Sequence, residues 1–218
     1  MVEYQSVEIL KGRSKIYAWL ASFYLFEPND GLLKAASEPK LIEALTLLFQ
    51  QQRSQEALNI LPHLNKNSIE DIKNEFYSLF LIPIRGKYIP MYESCFREKI
   101  GDRYGNLWGK VTEEVQKFYR KTGFKAIFPT NVYAPDHIGI ELAFMSKLCE
   151  EELRYINACN LEEARKMKNA QKAFLKDHLL IWIDDFLKNV INSPIANFYK
   201  YIATLTLEFV HLDLEFIN

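Results

Sequence analysis

Apolar residues recur at helical spacing along almost the whole chain, and this periodicity constrains the fold more than any other feature. Ile16, Leu20 and Phe23 lie three or four residues apart, so their side chains share one face of an α-helix. Ile138 and Leu142 begin a second stripe of the same kind. Gly and Pro number only 8 each among 218 residues, too few for a protein built of many short strands and tight turns. The sequence therefore predicts an all-α fold.

The same pattern places further helices around residues 41–49, 69–80, 108–121, 164–190 and 196–218. Gly123 follows one of them at the position that glycine often occupies after a helix. Pro129 and Pro135 interrupt the pattern between residues 125 and 135, which we interpret as a hinge. We expect a single helical bundle over residues 1–218, with halves at roughly 1–124 and 136–218.

One long segment, Ile82–Tyr104, does not follow the helical pattern. It contains two prolines and two glycines but is also rich in apolar side chains, among them Tyr88, Met91, Tyr92 and Phe96. A loop with so much apolar surface is expected to pack across the helices, and long ordered loops are often functional.

Charge and cysteine usage exclude several classes of protein. The 27 basic and 28 acidic residues give a net charge of −1, which argues against a dedicated nucleic-acid-binding protein. Cys95, Cys149 and Cys159 form no C-x-x-C pair, so we expect neither a disulfide framework nor a thiolate zinc site. The apolar segment 16–26 is shorter than the roughly 20 residues needed to span a bilayer. It indicates a buried first helix in a cytoplasmic protein that does not insert into the membrane.

The most distinctive local motif is Pro135-Asp136-His137, followed by Glu141. Asp136 suits the N-cap of the helix that follows, because its carboxylate accepts the exposed N–H groups of a first turn. His137 and Glu141 are four residues apart and share a helix face, so the imidazole can donate to that carboxylate. Three interpretations stay open, namely a cap with a satisfied histidine, a polar recognition site at a helix start, and a metal site.

Several segments in order resemble the TorD/DmsD family of cytoplasmic chaperones, which assist the assembly of molybdenum-containing redox enzymes. Tyr133–Met145 is similar to the family's P-x-D-H signature and the E-L-x-F-M helix after it. Phe76–Phe80 and Pro90–Ser94 resemble its aromatic-L-F helix end and its proline-aromatic-x-serine loop. Phe174–Trp182 and Asn197–Tyr199 resemble its H-L-x-x-W helix and F-Y helix start. The resemblance covers roughly residues 13–210.

This resemblance implies a bundle without catalytic residues, cofactor or metal. Such chaperones bind the twin-arginine signal peptide, and often the body, of a molybdoenzyme catalytic subunit until its molybdopterin cofactor is loaded. A receptor for that peptide needs an apolar groove with acceptor groups at one end. We therefore expect the client peptide to be bound by Asp136, His137, Glu141, Pro90, Met91, Tyr92, Glu93, Ser94, Phe76 and Phe80.

Two other functions remain possible from the residues alone. One is a metal-dependent hydrolase that uses His137 and Glu141, and the other is a helical interaction or regulatory protein with a different client. The chain is expected to be a monomer or a homodimer, and a hinge at residues 125–135 is compatible with exchange of halves between protomers.

Overall fold

The computed structural model describes residues 2–49, 51–60 and 69–217, and every regular element in these ranges is helical. The predicted all-α fold is thus confirmed. The helices are α1 (Val2–Leu25), α2 (Asp30–Ala36), α3 (Pro39–Leu48), α4 (Gln52–Ile60), α5 (Ile69–Phe76), α6 (Glu93–Arg97), α7 (Lys110–Lys121), α8 (Ile138–Asn157), α9 (Leu161–Phe174), α10 (Leu180–Ile191) and α11 (Tyr199–Ile217).

The chain forms two compact units, each assembled from separate segments. Unit 1 contains Met1–Leu25, Tyr92–Trp182 and Asp213–Asn218, and unit 2 contains Phe26–Met91 and Ile183–Leu212. The segment 125–135 lies within unit 1, and its function as a hinge between two halves stays a prediction.

Unit 1 is organised around α8, which packs against both α1 and α9. Gly139 allows the close approach of α1, because a Cβ atom at this position would lie 2.6 Å from Leu25 Cγ. On the other side, the ring of Phe144 lies 4.8 Å from that of Phe174 and 4.6 Å from that of Tyr119. These aromatic contacts join α7, α8 and α9 into one buried core.

A buried ion pair connects the two ends of unit 1. The guanidinium of Arg13 on α1 donates to both carboxylate oxygens of Asp213 near the end of α11. Tyr17 donates its hydroxyl to the same carboxylate at 2.6 Å, and Gln171 Oε1 accepts from Arg13 at 2.8 Å. The buried guanidinium is thus paired with a carboxylate, as a buried charge requires.

Unit 2 is built around the start of α11. Phe76 and Phe80 are buried there, with ring centroids 5.7 Å and 5.0 Å from that of Tyr199. Glu75 completes this arrangement by accepting hydrogen bonds from the backbone N–H groups of Asn197, Phe198 and Tyr199 at 2.7–3.0 Å. A side chain from α5 therefore caps a helix more than a hundred residues later.

Some predicted helix boundaries differ from those observed. The predicted helix 164–190 consists of α9, a π-helical turn at Leu175–Leu179, and α10. Helix α1 ends at Leu25, close to the end of the apolar segment 16–26. Asn29 then begins α2 by accepting from the N–H of Leu32 at 3.0 Å, and the apolar pattern did not predict this helix. Within the described ranges, no helix combines the length and apolar character needed to cross a bilayer.

Candidate functional site

Asp136 joins the short helix α6 to the start of α8. Its carbonyl oxygen accepts from the N–H of Glu93, and its Oδ2 accepts from the N–H of Ser94, both at 2.9 Å. Tyr92, which precedes Glu93 in the chain, pairs with His137 in an isolated antiparallel bridge. The ring centroids of these two residues lie 5.1 Å apart. Burial raises the pKa of the Asp136 carboxyl, and the hydrogen bonds from Ser94 oppose this shift.

The residue that caps α8 is His137, and the expectation that Asp136 has this role was wrong. His137 Nδ1 accepts from the N–H of Gly139 at 3.1 Å, so the neutral ring carries its proton on Nε2. Asp136 instead supplies its carboxylate to α6. Burial lowers the pKa of His137 to about 3, so the imidazole is neutral at physiological pH.

His137 and Glu141 do not form the hydrogen bond that their spacing suggested. Among the described residues, Nε2 of His137 has no hydrogen-bond partner. Glu141 Oε2 accepts from Trp182 Nε1 at 3.1 Å. Because His137 is the N-cap residue, it lies outside the regular helix. The i, i+4 geometry assumed for His137 and Glu141 therefore does not apply.

Two buried carboxyl groups, those of Glu141 and Glu93, lie next to each other in this cluster. Burial raises the pKa of Glu141 well above its ordinary value, and the neighbouring Glu93 carboxylate raises it further. Both effects favour the protonated form of the Glu141 carboxyl. The two carboxyl groups lie in a site without solvent access.

Glu93 also binds two basic side chains. His178 Nδ1 lies 3.1 Å from Glu93 Oε2, and Arg97 donates to Glu93 Oε1. The His178 ring stacks on Phe174 at 4.8 Å, which fixes its orientation. His178 was not among the predicted site residues, although it lies in the segment Phe174–Trp182 that resembles the H-L-x-x-W helix.

All ten residues predicted to bind a client are buried in the structure. Six of them belong to unit 1, namely Tyr92, Glu93, Ser94, Asp136, His137 and Glu141; the other four belong to unit 2, namely Phe76, Phe80, Pro90 and Met91. Their contact with a client stays a prediction, and in this conformation their side chains are not presented to solvent. Tyr133 is an exposed neighbour of the cluster, since its N–H donates to Tyr92 Oη at 3.1 Å and its side chain is 63% exposed.

The chemistry of the cluster is that of a structural polar core. Its acceptors are directed at backbone N–H groups and an indole. In the part of the chain that the structure describes, no three His, Cys, Asp or Glu side chains are arranged to hold a metal ion. The arrangement fixes α6 and the Tyr133 segment relative to α8.

Comparisons with known proteins agree with the resemblance seen in the motifs. The model of a family described as nitrate reductase delta subunit matches residues 47–188, more than half of the chain. Chaperone protein TorD of Vibrio cholerae serotype O1 (strain ATCC 39315 / El Tor Inaba N16961) is 27% identical over 221 residues, which cover 96% of this chain and 94% of the relative. Chaperone protein TorD of Colwellia psychrerythraea is 24% identical, with 95% and 92% covered. That of Shewanella pealeana is 22% identical, with 94% and 90% covered.

Proposed function

We propose that this chain, which belongs to the nitrate reductase delta subunit family of TorD-type chaperones, is a cytoplasmic assembly chaperone for a molybdoenzyme catalytic subunit. It binds the subunit's twin-arginine signal peptide, its body, or both, and holds the subunit until the molybdopterin cofactor is inserted. TorD-type proteins are chaperones and not enzymes, so the chain assists another enzyme without catalysing a reaction itself. The observation that carries this proposal is the match to curated chaperones over nearly the full length of the chain.

The buried cluster suits a positioning role in this function. Asp136 and His137 hold Tyr92 and α6 in place through backbone hydrogen bonds and an antiparallel bridge. Tyr92 in turn fixes the backbone at Tyr133, whose ring is exposed. Binding to a surface that is already ordered costs less conformational entropy. Residues that order the surface therefore contribute to affinity without touching the client peptide.

The substitution Asp136→Ala tests this role. It removes the carboxylate that accepts the Ser94 N–H, and losing a cap of this kind costs about 0.5–2 kcal/mol. If the ordering of α6 is coupled to client binding, the affinity for a synthetic twin-arginine leader peptide falls by a factor of roughly 2 to 30, since 1.4 kcal/mol corresponds to tenfold. Isothermal titration calorimetry measures this affinity, with urea unfolding in parallel.

Asn160→Ala is the matched control. Asn160 caps α9 in the same unit by accepting from the N–H of Glu163, so its loss costs stability in the same way. We expect this variant to bind the leader peptide like the wild type. Equal leader affinity of Asp136→Ala and Asn160→Ala would contradict the positioning role, and a wild-type chain that binds no leader peptide and no client body would contradict the proposed function.

The identity of the client is a separate measurement. We expect co-purification from the native host, followed by mass spectrometry, to recover a molybdopterin-dependent oxidoreductase subunit. Recovery of an unrelated partner in stoichiometric amount would favour the alternative of a helical interaction protein with a different client.

A further inference from the structure

Unit 1 carries a surface groove formed by two neighbouring cavities that share Phe124 and Lys125 in their walls. We call it the Phe124 groove. One cavity, of about 430 Å³, also has Phe144 and Tyr155 in its wall. The other, of about 310 Å³, also has Arg120 in its wall. The groove is distinct from the buried cluster of Glu93, Asp136 and Glu141, none of which lines either cavity.

The floor of the groove is aromatic. The Phe124 ring lies 5.0 Å from the ring of Tyr119 and 4.9 Å from that of Phe144, so it continues the core outward to the surface. Phe128 lines the second cavity and is 42% exposed, and its neighbour Ile127 is 91% exposed. Adjacent exposed apolar side chains next to a cavity are typical of a surface that binds another chain.

The charge at the groove is basic. Arg120 and Lys125 are both exposed, and neither forms an ion pair among the described residues. The acidic side chain in the wall, Glu151, is already paired with Lys147 and Arg154. The charges left without a partner at the groove are therefore positive.

We infer that the Phe124 groove binds an acidic segment with aromatic or aliphatic side chains from the body of the client. Its apolar side chains fill the cavities, and its carboxylates pair with Arg120 and Lys125. This inference rests on the proposed function and extends it. A twin-arginine leader has the wrong charge for this groove, so the partner segment lies elsewhere in the client.

Fluorescence anisotropy with a defined probe tests the inference. The probe is a short fluorescein-labelled peptide in which a Phe-Leu pair is flanked by Glu residues. Two matched peptides replace either the Glu residues by Gln or the Phe-Leu pair by Ser. We expect the wild-type protein to bind the first peptide, with an affinity that falls as salt rises, and to bind both matched peptides more weakly.

The double variant Arg120→Glu/Lys125→Glu should weaken binding of the acidic peptide by roughly tenfold or more, because two attractions become repulsions. Both side chains are exposed, so the melting temperature should stay close to that of the wild type. Lys200→Glu is the control for the change of charge, since Lys200 is an exposed lysine in unit 2. It should bind the acidic peptide like the wild type.

Titration of the leader peptide with the same proteins separates this inference from the proposed function. Leader binding by the wild type without acidic-peptide binding would overturn the inference alone. Unchanged acidic-peptide affinity in the double variant would also overturn it. If sedimentation velocity shows a wild-type dimer that the double variant loses, the groove is an interface between copies, and the inference is wrong.

Discussion

Glu141 has an environment very different from that of a glutamate on the protein surface. It is buried, it accepts from Trp182 Nε1, and the neighbouring Glu93 carboxylate raises its pKa beyond the effect of burial. Its pKa is raised in the folded chain, so above the ordinary pKa of glutamic acid the folded state keeps a proton that the unfolded state has lost. The free energy of unfolding therefore falls as pH rises through this window, by at most about 1.4 kcal/mol per pH unit.

Glu141→Gln should remove this dependence on pH. The amide oxygen still accepts from Trp182, and the amide has no proton that titrates in this pH range. We expect the stability of the variant relative to the wild type to increase between about pH 5 and about pH 8. Urea unfolding at several pH values measures this difference.

The control for that experiment is Glu150→Gln, on the same helix but exposed and paired with Lys147. Its unfolding free energy should run parallel to that of the wild type across the same pH range. A constant difference between Glu141→Gln and the wild type would show that Glu141 is not protonated in the folded chain.

At the site, sequence reasoning found the residues more successfully than their partners. Asp136, His137 and Glu141 were singled out from the motif, and the structure brings them into one cluster with Glu93. The α8 cap was assigned to Asp136 instead of His137 because the spacing along one helix does not show that α6 also needs an acceptor. The contact of Glu93 with His178 spans 85 residues, and no local pattern encodes such a contact.

At the scale of helices, the cap of α11 is the contact most open to a direct test. Glu75 accepts three backbone N–H groups, and its pKa is raised by burial although these hydrogen bonds oppose the shift. Glu75→Ala leaves those donors without their acceptor and should lower the free energy of unfolding by about 1–3 kcal/mol. Urea unfolding followed by circular dichroism measures the loss.

Glu43→Ala provides the comparison, because Glu43 is an exposed residue of α3 in the same unit. Its effect should stay within about 0.5 kcal/mol of the wild type, as expected for a surface substitution. If Glu75→Ala is as stable as Glu43→Ala, water satisfies the start of α11 and the cap is dispensable.

The long helices were predictable, and the short ones were not. Periodic apolar residues located α7 and α8 to within a few residues, and Gly123 does follow α7, with a φ of +74°. Helices α2 and α6 contain seven and five residues, too few for a periodic stripe. Such short helices depend on caps and tertiary packing, which the apolar pattern of the sequence does not show.

At the scale of the whole chain, the order of segments matters more than any single motif. Unit 1 takes its residues from the beginning, the middle and the end of the sequence. The pairing of Arg13 with Asp213 therefore closes a separation of 200 residues. Neither residue belongs to a motif of the resemblance, and an arginine at the polar edge of a helical stripe gives no sign of a distant partner.

The Arg13–Asp213 pair gives a final prediction. Asp213→Ala leaves the guanidinium buried and without its carboxylate, and breaking a buried pair in this way costs about 3–5 kcal/mol. The double variant Arg13→Met/Asp213→Leu removes both charges and fills similar volume, so it should recover most of that loss, because a buried ion pair is often replaceable by apolar residues. Thermal and urea unfolding of the two variants measure the difference.

A double variant as unstable as Asp213→Ala would mean that Tyr17 and Gln171, which also bind this pair, depend on the charges for their own positions. Equal stability of Asp213→Ala and the wild type would mean instead that Arg13 reaches solvent when its partner is removed, and that the ends of unit 1 are held by apolar packing alone.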